Sequence, residues 1–423
     1  MTKLDEFKRG WTQLIAATLG LGIGVIGLGS YNLGLFAKDL SISIGLTKTQ
    51  YGAGYAAFTL GLALGLQMWG RMLTRFGAAK TTAGSALAMA LCFVALAKLT
   101  TSPEAYVAIV GCIGFFGGAT SGITFTRTIS GWFDRGRGFA LGLTQIGLGM
   151  SGAVVPLGVS RIIRDYGWSN GYLALAFLAA LGAPIALVLL RLRQGGSGAE
   201  QVSLQSIERA EQVAVQFAEA KRSRVFWTLL LGFSLTTLFV SGASQHLVPM
   251  LRELGSSPAK AAAYISLTGI GTICVRLVFG WLSDLVHAPW LMAISCLVGA
   301  CGMLLVAWGG LTYAPVYAFA LGWAFGGEID LIAYMTTRYF GLAIFPRVYA
   351  WQYGALSIFA GVSPFAIGWL ADTFKSYEPG LFISASLAVI AAGLFLTLPR
   401  YRIHAELEDE TGAEHLSAPV NAH

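Results

Sequence analysis

VRLVFGWLSD (275–284) sets an arginine a little past the middle of an apolar run and an aspartate at the run's end. The solvent around that arginine decides the fold. The chain has 423 residues, 55% of them hydrophobic and only 12% charged, which is far more apolar than a water-soluble domain. This composition belongs to a protein whose main partner is a lipid bilayer. Crossing roughly 30 Å of hydrocarbon takes about 20 apolar helical residues. Runs of that length occur at 12–37, 50–73, 81–100, 104–129, 138–163, 170–193, 225–251, 259–283, 288–309, 312–336, 347–371 and 377–398. They are long and uniformly apolar, whereas a membrane β-barrel needs short alternating segments. The expectation is an all-α membrane protein with twelve transmembrane helices.

The 54 glycines fit close helix packing, as in LGLGIGVIGLG (19–29) and GLGMSGAVVPLG (147–158), where small residues recur at helical spacing. Lys and Arg are more frequent in the loops on the side of the termini, which places both termini in the cytoplasm. The net charge of +7 follows from that bias and implies no nucleic-acid partner. The first run lacks a short apolar core with a small-residue cleavage site, so it reads as a retained helix. Cys92, Cys112, Cys274, Cys296 and Cys301 lie within runs at no metal-ligand spacing; they read as packing residues, and no cofactor is expected.

The chain divides in the middle. Residues 1–190 form one six-helix bundle, 191–224 a polar linker with a surface helix after Ser203, 225–398 a second bundle, and 399–423 a polar tail. The halves echo each other. QMWGRMLTRFGAAK (67–80) ends the second run as RLVFGWLSDLVHAP (276–289) ends the eighth, so Gly70 answers Gly280 and Thr74 answers Asp284. SGWFDRGRGFALGL (130–143) precedes the fifth run as TRYFGLAIFPRVYA (337–350) precedes the eleventh. Two pseudo-symmetric halves are a transporter design with the site between them near the midplane.

The spacing Gly280 to Asp284, with its partner Gly70, Arg75, Gly77 and Lys80, resembles the loop signature of the major facilitator superfamily. HLVPMLRELG (246–255), the arginine-to-aspartate stretch 276–284, GWFDRGRGFALG (131–142) and RYFG (338–341) are similar, in order, to its monocarboxylate transporter and oxalate/formate exchanger branch. That resemblance implies a substrate carboxylate on Arg276. Two departures stand out. Thr74 replaces the usual acid of the first-half loop, and YAWQYGALSIFAG (349–361) lacks the eleventh-helix lysine of oxalate/formate exchangers, which favours a substrate with one carboxylate.

The residues carry their own argument. A cation at the depth of Arg276 costs about 2.5–3.5 kcal/mol even on lenient insertion scales, so it faces a cavity or an ion pair. Its fork can grip a carboxylate bidentately and does not lose its charge; a permanent structural pair is the other reading. Thr272 lies one turn earlier on the same face. Glu328 and Asp330 stand past the middle of the tenth run and point roughly 200° apart. One can neutralise Arg276 and take a proton when a substrate anion diverts the arginine; both can instead hold helices together. His246, before Pro249, can relay protons or simply satisfy its helix. Tyr31, Asn32, Gln145, Tyr334 and Tyr353 are polar or aromatic candidates for substrate contact, or interhelical bonds. Asp284, Gly280, Arg75 and Arg127, with Arg135 and Arg137, read as gate and topology residues.

These readings converge on a secondary transporter of a small organic carboxylate, a proton symporter by alternating access, monomeric and in a bacterial inner membrane. Proton-independent anion exchange is the rival, and a non-transporting anion receptor belongs to a different class. No nucleophile–base pair, metal cluster or phosphate loop points to an enzyme.

Overall fold

The computed structural model describes residues 3–133, 137–189, 204–283 and 285–401. Fourteen α-helices follow one another: α1 Lys3–Gly22, α2 Val25–Ile44, α3 Lys48–Phe76, α4 Ala78–Leu99, α5 Pro103–Phe116, α6 Gly122–Trp132, α7 Arg137–Tyr166, α8 Trp168–Leu189, α9 Leu204–Arg222, α10 Arg224–Glu253, α11 Pro258–Leu282, α12 Ala288–Gly309, α13 Ala314–Phe374 and α14 Glu378–Leu396. Nine helical stretches of the described residues are long and apolar enough to cross a membrane. One of them, Ala288–Gly341, holds two of the expected passages. The glycines, tyrosines and Gln67 of α3 make that helix less apolar, and the fourth passage is interrupted, so neither is among the nine. Traced in order through the described residues, the helices make twelve passages, which puts Lys3, α9 and Tyr401 on one side, here the terminus side.

Two expected spans and one expected loop differ from the simple plan. The first breaks at Ile23–Gly24 between α1 and α2, and the fourth breaks at a 3₁₀ turn, Gly118–Thr120, between α5 and α6. The breaks meet: the Val25 N–H donates to the Thr120 hydroxyl at 2.9 Å, and that hydroxyl donates to Gly117 O at 2.7 Å. Irregular backbone survives at membrane depth only where protein satisfies its polar groups, and Thr120 does so here. The third difference is the loop expected between the tenth and eleventh spans. It is helical, so α13 continues through a kink at Gly341, whose φ of 72° favours glycine.

The surface helix expected after Ser203 is α9. It packs Phe217 and Ala220 onto Phe226 of α10 and onto Ile344 and Val348 just past the α13 kink. The first part of the expected linker, 190–203, and the expected tail, 402–423, lie outside the described residues.

The bundles α1–α8 and α10–α14 meet along two long seams, α3 against α13 and α7 against α11. A Cβ on Gly269 of α11 would sit 2.7 Å from Ala153 N and 2.8 Å from Gly149 O of α7, so only glycine lets these backbones touch. Polar contacts across the α3–α13 seam gather on the side opposite the termini. Asp372 of α13 accepts from the Thr49 N–H at 2.8 Å, the Thr49 hydroxyl at 2.6 Å and the Lys48 N–H at 3.3 Å, at the N-terminus of α3. Lys48 pairs with Glu253 at 2.8 Å, and Arg252 approaches Asp39 at 3.7 Å. Tyr51 donates to Gln245 O at 2.9 Å, and Gln245 Nε2 to Ser30 O at 3.3 Å.

Candidate functional site

α11 enters from the far side and carries Thr268, Thr272 and Arg276 on one face, one turn apart. Side chains on a helix lean towards its N-terminus, so the guanidinium reaches back to the level of Thr272. It is 9% exposed, and its Nε lies 3.9 Å from Asp330 Oδ2 on the first arm of α13. That is an ion pair without a hydrogen bond: Nε, Nη1 and Nη2 are all buried and have no hydrogen-bond partner. A buried guanidinium normally bonds through most of its five N–H groups. From the other bundle, α2 brings Tyr31 beside Thr272 and into the field of Arg276. The Tyr31 hydroxyl is likewise buried and unpartnered, and its ring meets Phe325 edge-on with centroids 6.4 Å apart.

Above this group a small cavity of about 40 Å³ lies between the bundles, lined by Ser30, Tyr31, Gln245, Thr268 and Phe325 among others. Donors of one charged fork and one phenol, converging without partners beside such a space, can take both oxygens of a carboxylate.

The structure thus brings Arg276, Asp330, Thr272 and Tyr31 together. Thr272 differs from the expected donor: its hydroxyl donates to Thr268 O at 3.0 Å and Gly322 O at 3.1 Å, joining α11 to α13 and leaving only its lone pairs to a ligand. Glu328 points to the opposite face. It is buried, and there it accepts from the Thr237 hydroxyl of α10 near Cys296. His246 is set apart as well, in the far-side seam. Its Nε2 lies 2.8 Å from Pro364 O and must be the donor, so Nδ1, 3.3 Å from the Tyr377 hydroxyl, accepts in the neutral ring.

The remaining candidates spread outward. Asn32 bonds back to Gly27 O and Leu28 O of its own helix. Gln145 is half-buried on α7. Tyr334 donates to Ser283 O at 2.7 Å, which fastens α13 to the end of α11. Tyr353 is 47% exposed and stacks on Tyr349. Gly280 faces open space, and Arg75 is exposed over the Phe76 ring. Asp284, Arg135 and the side chains of Arg127 and Arg137 lie outside the described residues.

The Major Facilitator Superfamily model matches residues 19–343, well over half of the sequence. The chain belongs to the major facilitator superfamily. Among relatives of this major facilitator chain, monocarboxylate transporter 13 of Bos taurus is 26% identical over 381 residues, covering 85% of this chain and 79% of the relative. Monocarboxylate transporter 11 of Homo sapiens is 24% identical over 408 residues, covering 92% and 83%. The crystal structure of a D-xylose–proton symporter superposes with a TM-score of 0.70 at 16% identity, covering 93% of this chain and 98% of that one, a likeness of fold. As a major facilitator protein it is a multi-pass membrane transporter and not an enzyme.

Within this major facilitator chain, sequence reasoning passed over Ser30, Thr237, Thr268, Phe325 and Asp372. Thr237 and Thr268 looked like ordinary helix threonines, because only tertiary packing reveals their neighbours. Asp372 had a legible signal: it is the last acid before a far-side loop.

Proposed function

We propose that this transporter moves a small organic monocarboxylate by alternating access, coupled to a proton, with Arg276 as the anion-binding group and Asp330 as the proton carrier. One observation carries the reading: a buried guanidinium between the bundles has no hydrogen-bond partner and only a 3.9 Å approach from one carboxylate. A cation kept at that depth with its donors unused is costly unless a ligand uses them. When an anion takes the fork, Asp330 loses its counter-ion. A carboxylate stranded at membrane depth is costly until it is protonated, so anion and proton load together. The similarity to monocarboxylate transporters supports the substrate class, and the missing eleventh-helix lysine supports a single carboxylate.

Loaded, the bundles rock about the site and the far-side contacts part. The excess of Lys and Arg in loops on the terminus side supports placing that side in the cytoplasm, of a bacterial inner membrane in this reading, with the monomer as the working unit.

The test is uptake into proteoliposomes from a panel of mono- and dicarboxylates, under an imposed inward proton gradient and with a pH dye in the lumen. Lumenal acidification accompanying uptake of a monocarboxylate, above the leak of protein-free vesicles, is the expected result. Uptake only into vesicles preloaded with anion, without a pH signal, means exchange and removes the proton from Asp330, Glu328 and His246 alike.

A further inference from the structure

We infer that Glu328 holds a proton of its own throughout the transport cycle and is a positioning residue, a neutral acid that donates to Thr237 and ties α10 to α13. The inference rests on the reading of Asp330 as the proton carrier and deepens it: of the two acids on the first arm of α13, Asp330 alone exchanges its proton.

Two contacts at Thr237 compete for one proton. As a carboxylate, Glu328 accepts from the Thr237 hydroxyl, and the same hydroxyl lies 3.0 Å from Phe233 O, which also needs it as donor. A hydroxyl has a single proton and cannot serve both acceptors fully. With a proton on Glu328, the acid donates to Thr237 Oγ1 and Thr237 donates to Phe233 O, so each contact has its own proton. The surroundings point the same way. Glu328 is buried, and among the described residues no Lys, Arg or His pairs with it. A carboxylate buried beside a single hydroxyl is costly, whereas a neutral acid needs only its hydrogen bond. Asp330 differs, because Arg276 stands 3.9 Å away.

The neighbours of Glu328 also travel with it. The groups that bear on it are Thr237 of α10, Cys296 of α12 and Tyr353 on the second arm of α13. All three belong to the second bundle, which moves largely as one body when the halves rock. Rocking therefore leaves the surroundings of Glu328 as they are, and nothing in the cycle draws its proton off. Asp330 faces Arg276, whose partner changes each time an anion binds and leaves. A proton is gained and lost where the counter-ion changes, and that is at Asp330.

The experiment pairs infrared spectroscopy of the purified full-length protein with transport in proteoliposomes. At neutral pH the unmodified protein is expected to show a carboxylic-acid C=O band that is lost in Glu328→Gln and shifted in Thr237→Val, where the acid has lost its acceptor. In transport, Glu328→Gln keeps proton-driven monocarboxylate uptake and lumenal acidification, because an amide N–H still donates to Thr237, and Glu328→Ala loses part of both. A spectrum in which Glu328→Gln removes no such band overturns the inference, and so does an unmoved band in a folded Thr237→Val protein. Counterflow without proton-driven accumulation in Glu328→Gln overturns it as well, since Glu328 is then the group that releases the proton. Asp330→Asn accumulating monocarboxylate like the unmodified protein, with the infrared result intact, overturns the reading of Asp330 and leaves the neutral Glu328 in place.

Discussion

Arg276 is held by one loose partner, and that looseness sets what its substitutions do. Arg276→Lys keeps a charge but loses the planar fork, and losing one charge-assisted hydrogen bond of about 1.5–3 kcal/mol weakens monocarboxylate binding by roughly ten- to a hundredfold. Direct binding measurements on the two purified proteins check this. Asp330→Asn removes the competitor for the fork without removing bulk. Counterflow of radiolabelled monocarboxylate then persists, while accumulation driven by a proton gradient is lost. If Asp330→Asn accumulates substrate normally and Glu328→Gln does not, the proton belongs to the Glu328–Thr237 pair. The partners at this scale were partly legible in the sequence. Glu328 and Asp330, two residues apart on a helix, had to face different neighbours. Which of them meets Arg276 depends on the rotation of α13 against α11, and no single helix encodes that rotation.

Elements carry the conformational switch. Asp372 caps α3 from the opposite bundle, with three hydrogen bonds to Lys48 and Thr49. Loss of a cap costs about 0.5–2 kcal/mol, and here the cost falls only on the state in which the bundles touch on the far side. Asp372→Ala therefore raises the population open on that side by roughly two- to thirtyfold, read as faster labelling of a cysteine introduced at Thr59, whose side chain lies against Gly361 in the closed seam. Unchanged labelling would mean that the seam closes on packing alone. Gly269→Leu acts in the opposite direction to closure: its side chain has no room against Gly149 and Ala153, so uptake falls to background while the protein still inserts.

The breaks at Gly24 and Gly118 show the limit of hydropathy at this scale. A glycine-rich apolar run reads the same whether it continues as helix or parts to meet a neighbour. The join between them rests on Thr120, an unremarkable residue in sequence. The kink at Gly341 hid for the reverse reason: a charged, aromatic stretch looked like a loop, yet the backbone keeps its helical hydrogen bonds on either side of one glycine.

At the scale of the whole molecule, the twelve passages and the two-bundle plan followed from run length and internal echo, both of which reflect bilayer thickness and repeat symmetry directly. The far-side seal did not, because Lys48, Asp372, Glu253, Arg252 and Asp39 sit at helix ends where charge looks like ordinary loop polarity. In this structure the bundles are joined on that side by hydrogen bonds and ion pairs, with the cavity and Arg276 beneath the seal. The most direct measurement of the central claim compares unmodified protein with Arg276→Gln in proteoliposomes of matched protein content, following monocarboxylate uptake and lumenal pH together. Uptake with acidification in the first, and neither in a folded Arg276→Gln protein, is the expected result. Undiminished uptake by Arg276→Gln would contradict it and return the arginine to the role of a structural partner for Asp330.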